Sequence, residues 1–151
     1  MRKPLSLAVV SVFVSLSLIQ LAHADAHCDK AALNSAFGFA GMGSIPMPTN
    51  GTVRYDAVSH VGVATYDGNG NVTASARVQF EGKTSPFTFV GTYDVSANCT
   101  GIATFKDKND VVQLVWQFVI VHGGDELETM VLRPPTSTRP MYSLTFTQKK
   151  R

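Results

Sequence analysis

The sequence is poor in charge, in cysteine and in paired histidines, and each shortage removes a class of function. Charged residues make up 16% of the chain, with 13 Lys and Arg against 11 Asp and Glu. Arg2 and Lys3 fall in a segment expected to be removed, which leaves 11 basic residues against the same 11 acidic ones. A chain balanced in this way offers no electrostatic footprint for nucleic acid. Its basic cluster, Lys149-Lys150-Arg151, reads as a solvated tail.

The histidines beyond that segment, His27, His60 and His122, stand in three unrelated contexts. No H-x-H or H-E-x-x-H pair is present, so neither a metal nor any other cofactor is expected. No nucleophile motif is present either. The Gly-rich stretch Asp67-Gly68-Asn69-Gly70 lacks the following helix of a phosphate cradle and the regular acidic ligands of a calcium loop; it reads as a hairpin turn.

What the chain does have begins with an address. Met1-Arg2-Lys3-Pro4 is followed by an apolar run from Leu5 to Leu21 and then Ala22-His23-Ala24. A positive start, an apolar middle and small residues at the end form the order of a cleavable secretory signal. Residues 1–24 are therefore expected to be a signal peptide and residues 25–151 a single domain, secreted or periplasmic. The run is shorter than a membrane span and broken by serines, so no stable membrane anchor is expected after cleavage. In an oxidising compartment the two cysteines, Cys28 and Cys99, are expected to form a disulfide.

From residue 35 onward apolar residues recur at period two between Gly, Asn and Asp turns, with no long helical periodicity. Strands are expected at 36–43, 53–66, 71–80, 86–95, 100–105, 111–121, 126–132 and 141–147, with a short helical turn near residue 29 and loops around Pro46-Met47-Pro48 and at 134–138. In the third strand Val72, Ala74, Ala76, Val78 and Phe80 face one way and Thr73, Ser75, Arg77 and Gln79 the other. The class is all-β: an antiparallel up-and-down barrel of about eight strands, with a two-sheet sandwich as the alternative. The segment 111–121 is apolar on both parities, which predicts a cover on its outer face, from the N-terminal segment or from a second copy in a homo-oligomer.

Three stretches carry a resemblance: Tyr66-Asp67-Gly68-Asn69-Gly70-Asn71-Val72-Thr73, Phe89-Val90-Gly91-Thr92-Tyr93-Asp94-Val95 and Asn98-Cys99-Thr100-Gly101. Together they resemble a group of small secreted bacterial proteins, largely uncharacterised. That group is similar to the allene oxide cyclase-like and lipocalin-like barrels. The resemblance implies a small antiparallel barrel with an apolar pocket and carries over no catalytic residue.

Function is then expected to lie in the barrel interior. The first reading is a binding module for a small apolar molecule, lined by Tyr66, Tyr93, Trp116 and Phe118. The second is a cyclase or isomerase in which His60, Tyr93, Glu126 or Glu128 moves a proton; Glu126 and Glu128 share a strand face and act only if that face points inward. The third is a structural or interaction protein using the outer face of 111–121.

Overall fold

A computed structural model describes residues 28–132 and 143–151. The expected signal peptide, His27 and the loop at 134–138 lie outside the described residues. The eight strands are β1 (Asn34–Thr49), β2 (Thr52–Asp67), β3 (Asn71–Phe80), β4 (Lys83–Val95), β5 (Thr100–Lys106), β6 (Val112–Val121), β7 (Glu126–Leu132) and β8 (Ser143–Lys150). Each pairs antiparallel with its neighbour in sequence, and β1 pairs with β8, so the sheet closes into an up-and-down barrel. A sandwich is excluded, and closure leaves no unpaired edge through the barrel body. No helix among the described residues is long and apolar enough to cross a membrane.

Turn chemistry fixes the register. Asn50 and Gly51 both have positive φ, 47° and 81°, as do Glu81 and Gly82 at 47° and 74°. Two successive positive φ values make the two-residue hairpin turn whose twist matches the flanking strands. Between β2 and β3 the Asp67 carboxylate accepts from the backbone N–H of Asn69 at 2.8 Å and of Asn71 at 2.9 Å, and from the Asn71 amide at 2.6 Å. The Asn71 side-chain bond, followed by the backbone bonds, holds that carboxyl below its usual range.

Two expectations are corrected. Pro46-Met47-Pro48 is not a loop: it lies within β1, paired with Tyr55, Arg54 and Val53 of β2. Pro86 on β4 lies outside the Val90–Val95 stretch that pairs with β5, where a residue without an N–H is tolerated. Lys83 to Phe89 of β4 pair with β3 and run on past the end of β5 as a tall wall. The second correction concerns the N-terminal segment as the cover over 111–121: within the chain Val115 is buried, but Val119 is 41% exposed and Gln117 is exposed. The described part of that segment, Cys28 to Leu33, closes one end of the barrel instead.

That end is built from the segment Cys28 to Leu33. A single 3-10 turn, Lys30–Ala32, is capped by Asp29, whose side chain accepts from the Ala32 N–H at 3.1 Å. Leu33 is fully buried. Its carbonyl accepts from the Gly68 N–H at 2.9 Å and from the Tyr93 hydroxyl at 3.0 Å, and the Lys30 carbonyl lies 2.9 Å from the same hydroxyl. Cys28 is joined to Cys99 in the β4–β5 turn, closing a separation of 71 residues. Chain-entropy arguments value such a crosslink at roughly 4 kcal/mol.

Candidate functional site

Below this plug the interior is filled. Phe37, Tyr66, Tyr93 and Phe118 meet edge to face, with centroids 5.0 to 6.1 Å apart. The Phe118 ring lies directly over Gly101, its β5 partner, where a Cβ would collide with the ring. A glycine there is the condition for a ring of that size. The polar atoms in this layer are partnered: the Gln148 amide donates to the Thr129 hydroxyl at 2.9 Å and to the Tyr66 hydroxyl at 3.2 Å. Burial pushes the Tyr66 phenol well above its usual range, and the Tyr93 phenol is raised for the same reason.

One layer further along the strands, Phe39, Trp116 and Phe146 form an aromatic floor, with ring centroids 5.1 to 5.7 Å apart. Above it the barrel is not filled. A cavity of about 280 Å³ opens at the end opposite the plug, walled by apolar side chains that include Val58, Ala76, Val78, Leu114 and Val131. Phe87 and Phe89, from the tall wall, stand at its side with rings stacked at 5.9 Å. Phe87 is 44% exposed, an aromatic edge offered to whatever enters.

Among the described residues, two polar side chains line this cavity, Gln113 and His60. Gln113 is exposed, and its amide donates to the Asp107 carboxylate at 3.0 Å. His60 is 9% exposed, and its Nε2 atom is buried without a hydrogen-bond partner. Its ring packs edge-on against Phe146 at 4.8 Å and Phe39 at 5.5 Å. Gly41 makes this possible. It faces His60 on β2 and Phe146 on β8, and a Cβ at that position would lie 2.6 Å from the Phe146 Cβ and 3.0 Å from His60 Nε2. Burial lowers the His60 pKa below 6.5, so the imidazole is neutral at neutral pH.

The residues singled out from the sequence divide between these surroundings. Trp116 and His60 line the cavity. Tyr66, Tyr93 and Phe118 belong to the packed layer beneath, where Tyr93 anchors the plug. Glu126 and Glu128 share a face, and it is the outer one, since Leu127, Thr129 and Val131 hold the buried parity of β7. Glu128 accepts from the Thr147 hydroxyl at 3.1 Å, and Glu126 pairs with Lys149 at 3.3 Å. His122 is exposed, 4.0 Å from Glu126. Among the described residues no three metal-ligating side chains come together.

Sequence reasoning missed Ala76, Val78 and Gly41 as makers of the site. The signal available was the run of small residues on inward parities, Gly41, Gly62, Ala74 and Ala76, which leaves volume that rings or ligands can use. No known protein family matches the chain, and no match is found among curated proteins or solved structures.

Proposed function

We propose that this protein is a binding module that takes a small apolar molecule into the open end of its barrel. The observation that carries the reading is the contrast between a filled, plugged interior and an apolar cavity of about 280 Å³ open to the outside. At roughly 30 Å³ for a water-sized group, that volume holds about ten non-hydrogen atoms. Apolar walls with few polar groups are the usual make-up of a small-molecule site.

The signal-like start and the Cys28–Cys99 bridge support a place outside the cytoplasm, where such a crosslink persists. N-terminal sequencing of the exported protein should begin at Asp25.

Titration with short hydrocarbons and terpenoids, followed by Trp116 emission and native mass spectrometry, tests the reading. A saturable change with one molecule bound per chain is expected; no saturable response across the panel overturns it. An isomerase or cyclase is the second reading, favoured by one observation: His60, a proton-transfer group, lines the same cavity.

A further inference from the structure

The inference rests on the binding reading and concerns what the bound molecule must carry. In this barrel polar atoms in the interior are matched: Tyr66, Gln148 and Thr129 satisfy one another, and Tyr93 reaches two carbonyls. His60 Nε2 is the buried side-chain atom among the described residues left without a partner. A buried polar atom with no partner is a standing cost, and phenylalanine in its place would remove it.

The chemistry of the imidazole then selects the partner. The ring is neutral, so one nitrogen donates and the other accepts. In the tautomer with the proton on Nδ1, the unmet Nε2 carries a lone pair that a donor satisfies. Nε2 sits against Gly41, 3.0 Å from where a Cβ there would stand, so a ligand in the cavity meets that nitrogen only once the ring turns about its second torsion, which is broad in histidine.

We propose that His60 Nε2 accepts a hydrogen bond from a hydroxyl group of the ligand, which is thus an apolar alcohol or phenol of about ten non-hydrogen atoms rather than a pure hydrocarbon. The hydroxyl is drawn in beside Phe146 and Phe39, and the apolar body fills the space between Ala76, Leu114 and Val131 up to Phe87. The apolar walls supply affinity for any molecule of the size, and His60 selects the one that brings a donor.

Calorimetry with decan-1-ol and with its methyl ether, which has the same chain and no donor, tests this on the intact protein and on His60→Phe and His60→Leu. Wild type should bind the alcohol about tenfold more tightly than the ether, and in either variant the preference should vanish through loss of alcohol affinity. Equal binding of alcohol and ether by wild type overturns the inference and leaves the apolar-binding reading standing. Failure of both probes to bind wild type removes that reading and the inference with it.

Discussion

At the plugged end of the barrel Tyr93 donates to two carbonyls, Gln148 bridges Tyr66 and Thr129, and a disulfide fastens the N-terminal turn across the opening. At the other end the same strands carry Val58, Ala76, Val78 and Leu114 around unfilled space, with an unpartnered imidazole at the floor. The alternation of inward and outward residues is the same at both ends. What differs is side-chain volume and the matching of polar atoms. Large rings and paired polar groups build stability at the plugged end; small inward residues and an unmatched nitrogen give up stability at the open end. Regions that forgo packing and leave a polar group unmet are where function is to be sought.

That contrast can be broken from either side. Replacing both Cys28 and Cys99 by alanine should cost about 4 kcal/mol in urea unfolding, since the plug loses its crosslink. Affinity at the open end should stay within about twofold under conditions where the variant is folded. The reverse experiment fills the cavity. Ala76→Phe places a ring into open space, so ligand affinity should fall at least tenfold, about 1.4 kcal/mol, while the unfolding midpoint moves little.

A smaller effect with the opposite sign is expected at His60. His60→Phe should raise stability by about 1 kcal/mol at pH 7, because an unmet polar atom is replaced by an apolar ring of similar shape. The wild type should also respond to acid. The folded pKa of His60 lies below 6.5, so as pH falls through 6.5 the unfolded chain takes up the proton first and stability drops. None of the other described residues lining the cavity titrates, and His60→Phe should lose this part of the pH dependence. Unfolding curves between pH 7.5 and 5 would show it. The smallest effect is at a turn: Glu81→Asn should gain about 0.5 kcal/mol, because Glu81 holds a positive φ of 47° that asparagine adopts more easily. The 3.5 Å contact of Glu81 with Arg54 is exposed and its loss costs little.

Much of the fold was legible in the sequence because period-two alternation and turn residues are local signals. The expected bounds of β3 and β7 coincide with those observed, and the disulfide was legible from an even pair of cysteines behind a signal-like start. That β1 runs on through Pro46 was not legible, since a proline-rich stretch reads as a loop until its β2 partners are placed. The N-terminal cover expected over the outer face of β6 was misplaced because alternation shows that a face is apolar and not which segment lies over it.

The site was legible only in part. Trp116 and Phe118 have the same parity on β6, two residues apart, yet one forms the cavity floor and the other belongs to the packed layer. Sequence alternation gives the side of the sheet and not the height along the barrel axis. Glu126 and Glu128 fell on the outer side because Leu127 and Val131 claim the interior. His60 stood out as a strand histidine, but its lack of a partner depends on Gly41, Phe39 and Phe146 meeting from β1 and β8.

The difference between the two ends is tested most directly by following side-chain methyl groups in NMR spectra while decan-1-ol is added. The methyl signals of Ala76, Val58 and Val78 should shift progressively and saturate, and those of Leu33, Val72 and Leu127 should stay in place. Shifts at the plugged end, or none at either end with the ligand in excess, would contradict the account.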